Sequence, residues 1–266
     1  MRKIAAIDIG SNAVRMLICY VLMNEDEYFF QKNQYIRLPL RLGEDSFITG
    51  SISDDKINSL SNALLSFKYT MKVHGVEHYQ IYATSALRDS KNSNDVIKQI
   101  YDLTGMKIKL IDGLKEANVI AMGNPIEKLD VNKTYLYVDV GGGSTEYSIL
   151  RRGDDKKSKS FNIGTVRLIN NLFDESVFDE IKEWINENFE DDLKLKVFAT
   201  GGNINKIQDM TRTKSGKPIS YLSIKDLYNN LLEKDLNNRM IQYNLNPDRA
   251  DAVSYTHLTL PTICSV

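Results

Sequence analysis

The segment Asp139-Val140-Gly141-Gly142-Gly143-Ser144-Thr145-Glu146 restricts the fold more than any other part of this chain, because it separates two apolar, β-prone runs, 133–140 and 144–151. A glycine-rich turn between such runs reads as a hairpin. Three consecutive glycines also remove every Cβ that would keep an anion off the backbone, so several N–H groups can face one phosphate. Ser144 and Thr145 add hydroxyl donors. Asp139 and Glu146, at the two ends, could hold a divalent cation through oxygen ligands, directly or through water. Glycine serves plain hairpins too, and it is the bracketing acids that favour a binding role here.

The same order of elements occurs near the start. Residues 3–9 form a short strand ending at Asp8-Ile9, Gly10-Ser11-Asn12 make a turn, 13–22 resume as a strand, and Tyr28–Leu38 give a third. Helical spacing follows over 53–74, opened by Ser53 and closed at Gly75, then a strand at 79–83, a helix over 93–104, a strand at 107–111 and a helix over 114–123. Strand, Asp, glycine hairpin, strand, turn and strand begin once at Ile4 and once at Thr134. Two tandem copies of one topology place matching loops face to face, and clefts between domains are favoured ligand sites. The expected organisation is a first α/β domain over 1–125, separated near Pro125 from a second over 126–251.

Three further features lie between or after these loops. Val197-Phe198-Ala199-Thr200-Gly201-Gly202-Asn203 ends a strand and opens a helix, where backbone donors and the helix dipole favour an anion. A strand-to-helix turn needs no ligand, however. Arg88 follows a strand end and could fork two donors onto phosphate oxygens, yet an Arg in a loop is ordinarily a solvated charge. Glu116 falls near a helix start, where a carboxylate is commonly only a dipole partner; the residues alone do not mark it as catalytic.

Acids and bases nearly cancel, at a formal net charge of -1. A protein gripping nucleic acid across its surface would be visibly basic, so no nucleic-acid partner is expected and any anion must be held locally. No run approaches the roughly 20 apolar residues of a membrane-spanning helix, and Asp8 interrupts the N-terminal apolar run too early for a signal-peptide core. The two cysteines, Cys19 and Cys264, have no metal-ligand spacing, and Cys19 reads as a reduced core thiol. These features point to a cytoplasmic protein.

Six motifs, IDIGSNAVRMLI, YATSALRDSKN, IDGLKEANVIAMGN, YVDVGGGSTEYSI, FNIGTVRL and VFATGGNINKI, run from residue 3 to about 251. In order and spacing they resemble the exopolyphosphatase/guanosine pentaphosphate phosphatase family of the actin, heat-shock-chaperone and sugar-kinase superfamily. The resemblance implies two ribonuclease-H-like, actin-like domains flanking an interdomain cleft. It also implies Mg²⁺-dependent hydrolysis of terminal phosphoanhydrides in inorganic polyphosphate or guanosine pentaphosphate. Carried onto this chain, Glu116 matches the water-activating glutamate and Arg88 a functional cleft position. Asp139 matches the phosphate and metal loop, Glu146 a functional cleft position and Asp8 the opposing loop, and these three acids are the expected metal-holding residues. Gly10, Ser11, Asn12, Gly141, Gly142, Gly143, Ser144, Thr145, Gly201 and Gly202 match phosphate-binding positions. Gly164 and Arg167 lie in a motif whose role is less defined. Lys115 stands where many relatives carry a second glutamate.

Two rivals share the aspartate-glycine loops: a sugar-kinase-type ATP-dependent kinase and a non-catalytic sensor of nucleotide or polyphosphate. The segments around Arg88 and Glu116 favour the hydrolase. Residues 252–266 do not resemble the family and read as translated adapter sequence joined to a truncated frame, leaving the second domain incomplete. Whether the chain forms a homodimer stays open at this level.

Overall fold

Alternation of apolar residues organises the first strands in the computed structural model, which describes residues 1–25, 27–122, 134–150, 157–189, 196–214 and 217–254. The chain divides into two units, Met1–Asp112 and Gly113–Val266. In the first, β1 (Arg2–Ile9) turns Ala5, Ile7 and Ile9 into the core. Gly10 then closes a tight turn, its amide donating to the Ala13 carbonyl at 3.1 Å. β2 (Val14–Asn24) returns antiparallel with Asp8 opposite Arg15, and β3 (Glu27–Leu38) completes the meander.

α1 (Leu42–Ile48) and α2 (Asp54–His74) follow. Ser53 caps α2 by accepting from the Lys56 amide, and Gly75 ends it at φ 66°, a left-handed stop that glycine adopts without a Cβ penalty. Ile57, Leu60, Leu64, Phe67 and Met71 recur at helical spacing and bury against Met16, Ile18 and Ile81 of the sheet. β4 (His78–Ala83), α3 (Ser85–Arg88), α4 (Ser93–Thr104) and the two-residue β5 (Lys109–Leu110) complete the unit. The strand order is β3-β2-β1-β4-β5, with β4 parallel to β1 and to β5. An antiparallel meander extended by parallel strands from its first member is the ribonuclease-H-like sheet that the sequence implies.

The second unit opens with α5 (Gly113–Met122) and repeats the meander in β6 (Tyr135–Val140), β7 (Thr145–Leu150) and β8 (Lys157–Phe161). α6 (Thr165–Ile169), α7 (Ser176–Asn188), β9 (Lys196–Thr200) and α8 (Gly202–Met210) come next. α9 (Tyr221–Leu232), α10 (Leu236–Tyr243) and α11 (Pro247–Ala250) end the described part. The order β8-β7-β6-β9, with β9 parallel to β6, reproduces that of the first four strands. β7 is buried at every residue: Tyr147 and Ile149 join the core under Ile181 and Ile185 of α7, while the opposite face meets α5.

Several expectations change. α1 was not foreseen; it follows Arg41, whose backbone is left-handed at φ 55°, and its start is fixed by tertiary bonds from the Arg41 and Gly43 amides to the Asn12 and Ser11 carbonyls. The strand expected over 107–111 is only β5, and Arg88 ends a single helical turn rather than lying in a loop. Cys19 is half-buried and follows Ile18, the last β2 residue in the core, without joining the core itself; burial still pushes its thiol pKa up. The unit boundary falls before α5, so α5 groups with the second unit rather than the first. Pro125, the charged turn before Lys157, and tail residues 255–266 lie outside the described residues, whereas Ala252 and Val253 are buried in the second unit.

Ile181 is fully buried, so Ile181→Ala should cost about 2–5 kcal/mol, read by chemical denaturation. Tyr147, also fully buried, meets Phe161 and Trp184 edge-on with centroids 5.4 and 6.5 Å away. Burial first, and the neighbouring Glu146 charge second, push its phenol well above the usual tyrosine range. An unfolded tyrosine ionises near pH 10, so this residue's contribution is complete below about pH 10 and is lost as pH rises beyond it. Tyr147→Phe should therefore flatten the alkaline limb of a stability-versus-pH curve.

Candidate functional site

Antiparallel pairing sets residues on two strands directly opposite one another with their side chains on the same face. In the second unit this register runs through all four strands: Ser160 on β8 is opposite Glu146 on β7, Glu146 opposite Asp139 on β6, and Asp139 beside Thr200 on β9. The four side chains form one polar row across the sheet. Glu146 is 1% exposed, and a carboxylate so buried must be hydrogen-bonded. Its Oε1 accepts from the Ser144 hydroxyl at 2.6 Å and the Ser160 hydroxyl at 2.8 Å. Asp139 Oδ1 accepts from Thr200 at 2.6 Å, and Thr200 in turn meets the Tyr137 hydroxyl at 2.5 Å.

The glycine turn rises directly from this row. The Gly141 amide closes the hairpin onto the Ser144 carbonyl at 3.0 Å. The carbonyls of Gly141, Gly142 and Gly143 are held by the Thr165 amide at 3.1 Å, the Val166 amide at 2.8 Å and Arg167 Nε at 2.8 Å. In a trans peptide the C=O and the following N–H point opposite ways. Tying three carbonyls to the start of α6 therefore turns the amides of Gly142, Gly143 and Ser144 away from it. Gly164 makes this approach feasible: a Cβ there would lie 2.5 Å from the Gly142 carbonyl carbon. Gly201 passes the other side at φ 120°, where a Cβ would come within 2.5 Å of the Val140 oxygen.

Some sequence assignments take a different form. Thr145, assigned to phosphate, is 0% exposed and donates to the Ile163 carbonyl at 2.5 Å; its hydroxyl holds the strand. The Ser144 hydroxyl is committed to Glu146, leaving its amide as the donor. Gly202 starts α8, and Arg249 crosses it to donate to Asn203 Oδ1 at 2.6 Å. Ser160, Thr200 and Gly113 were not picked out from sequence as site residues, and Arg249 stood out only as part of the 246–251 segment, which resembles a family motif. Only the Pro-Asp-Arg helix start at 247–249 carried a local signal.

Glu116 lies in the first turn of α5 and is half-buried. α5 packs on β7 and β8, and its first residue, Gly113, sits against Ser160 of the polar row. Residues three apart share a helix face, so Glu116 is carried on the face that meets the row. The sequence-selected glutamate and glycine turn therefore belong to one side of one sheet.

The first unit repeats the backbone but not the charge. Arg15 stands opposite Asp8 where Glu146 stands opposite Asp139, and Arg15 Nη1 pairs with Asp8 Oδ2 at 3.1 Å. Ser11 and Asn12 are buried, the Ser11 hydroxyl sharing a 2.8 Å bond with Ser85. Arg88 donates to the Ile111 carbonyl at 3.1 Å and to Asp89 at 3.2 Å, which fixes its guanidinium at the end of α3.

The surroundings of Asp139 and Glu146 suit Mg²⁺ ligands. Two carboxylates directly opposite on a sheet repel, and both are hard oxygen donors; Mg²⁺ typically takes one or two carboxylates and completes its shell with water and phosphate oxygens. The pair fits that pattern. Among the described residues no group of three or more His, Cys, Asp or Glu converges as a ready-made cage. None of the described helices is long and apolar enough to cross a membrane.

The chain is similar to several known proteins. A bifunctional 3-dehydroquinate synthase/phosphatase from Fusobacterium nucleatum is 31% identical over 251 residues, 89% of this chain and 38% of the relative. Exopolyphosphatase 2 from Mycobacterium tuberculosis is 30% identical over 176 residues, 63% of this chain and 54% of the relative. The matches thus span about half or less of those relatives' lengths. An exopolyphosphatase structure from Cytophaga hutchinsonii superposes with a TM-score of 0.81 at 20% identity, covering 99% of this chain and 90% of that one, and shows the same fold. The family model of the Ppx/GppA phosphatases matches residues 23–258, and on that match the chain belongs to the Ppx/GppA phosphatase family.

Proposed function

We propose that the protein hydrolyses the terminal phosphoanhydride of inorganic polyphosphate or guanosine pentaphosphate. The observation that carries this reading is the polar row of the second unit, which aligns an acid pair, a glycine turn with oriented amides and the helix bearing Glu116. Family membership supports the reaction class.

In this mechanism the amides of Gly142, Gly143 and Ser144 bind the terminal phosphate and meet the charge that grows on its equatorial oxygens. Mg²⁺ held by Asp139 and Glu146 would neutralise phosphate charge when bound. Thr200 and Ser160 keep the two carboxylates oriented. Glu116 positions a water and accepts its proton as the water oxygen bonds to phosphorus and the bridging P–O bond breaks, so that orthophosphate and the shortened chain leave.

Phosphate release from polyphosphates of several lengths and from guanosine pentaphosphate, with and without Mg²⁺ and without any acceptor, tests the reading. Glu116→Gln should lower turnover by roughly 10²- to 10⁴-fold with substrate binding retained; near-normal turnover removes Glu116 from the mechanism. Gly164→Ala should push α6 off the glycine turn and misplace its amides. A misplacement of about 1 Å costs on the order of 10²-fold, so kcat/KM should fall by about that factor, measured against the wild type at saturating Mg²⁺.

A further inference from the structure

Nothing in the sequence distinguishes Ser160. It lies in Lys157-Ser158-Lys159-Ser160-Phe161, a polar edge strand whose alternation requires only that Phe161 face the core. Its position in space is more demanding. The hydroxyl donates to Glu146 Oε1 at 2.8 Å, and the same side chain is the surface on which α5 begins. A Cβ at Gly113 would stand 2.7 Å from Ser160 Cβ and 2.8 Å from its Oγ, closer than non-bonded carbon contacts allow. A serine on a paired strand is short and cannot swing aside, so only glycine fits at 113.

We propose that Ser160 is a positioning residue that sets Glu116 against the carboxylate row. One side chain performs two tasks: its oxygen fixes the buried Glu146, and its Cβ and Oγ fix the depth at which the first turn of α5 rests on β8. Glu116, three residues on and on the same helix face, inherits that depth. The separation between the proposed water-activating carboxylate and the proposed metal-holding carboxylates is therefore set by the Gly113–Ser160 contact. This rests on the hydrolase reading for its catalytic meaning, although the contact itself does not.

A rescue experiment separates the two. In Gly113→Ala the added methyl lifts the helix start, so kcat should fall by about 10²-fold, the usual cost of about 1 Å of misplacement, while KM changes little. Hydrogen–deuterium exchange over 113–122 should speed up. Adding Ser160→Gly removes both atoms that the new methyl meets, so the Gly113→Ala/Ser160→Gly protein should recover exchange protection and at least a tenth of wild-type kcat. Ser160→Gly alone leaves a gap beneath Gly113 and removes the Glu146 hydrogen bond, so it should speed exchange over 113–122 and lower kcat, and the added methyl of the double variant refills that gap. Recovery of both readouts supports the proposal. Unchanged exchange and kcat in Gly113→Ala, or a double variant no better than Gly113→Ala, overturns it. Should the wild-type protein release no phosphate from either substrate class, the hydrolase reading fails and the catalytic role of Ser160 with it, while the exchange data still decide the seat.

Discussion

The second unit is organised around one unfavourable juxtaposition: Asp139 and Glu146 face each other across β6 and β7. Two carboxylates in that relation repel, and one of them is almost completely buried. The fold offsets this with hydroxyl donors, Thr200 from β9 on one side and Ser160 from β8 on the other, with Ser144 from the glycine turn. An arrangement that concentrates negative charge in this way creates a demand for a cation. The first unit, built on the same register, answers the demand internally, because Arg15 replaces the second acid and pairs with Asp8. Duplicated backbone with divergent charge assigns different tasks to the two halves.

The glycine turn depends on this row and on α6 together. Its amides are oriented because its carbonyls are occupied, and they are occupied because Gly164 lets α6 approach without a side chain in the way. The segment around Gly164 and Arg167, the least interpretable of the recurring motifs, thereby gains a physical purpose. It holds the turn from behind, with Arg167 Nε donating to the Gly143 carbonyl.

Much of this was legible in the sequence, for identifiable reasons. Asp-Gly hairpins, the α2 caps Ser53 and Gly75, and the helical stripe from Ile57 to Met71 are local signals whose partners lie within a few residues. α1 escaped notice because its start is fixed by tertiary bonds from the Arg41 and Gly43 amides to the 11–12 loop. Ser160 escaped because its role exists only once β8 is registered against β7. Thr145 was misread in detail: a hydroxyl beside a phosphate-type loop suggests a ligand donor, yet strand alternation turns it inward to Ile163. Sequence spacing finds loops readily, whereas cross-strand register decides which side chains in and around a loop face the same way.

The central claim, that the Asp139–Glu146 pair and the amides after Gly141 form one cation and phosphate site, is tested most directly by a crystal structure of the protein with Mn²⁺ and orthophosphate. The account expects an anomalous peak coordinated by Asp139 or Glu146, with phosphate oxygens on the amides of Gly142 and Gly143. Phosphate and metal bound elsewhere, with the pair and turn bridged only by water, would contradict it.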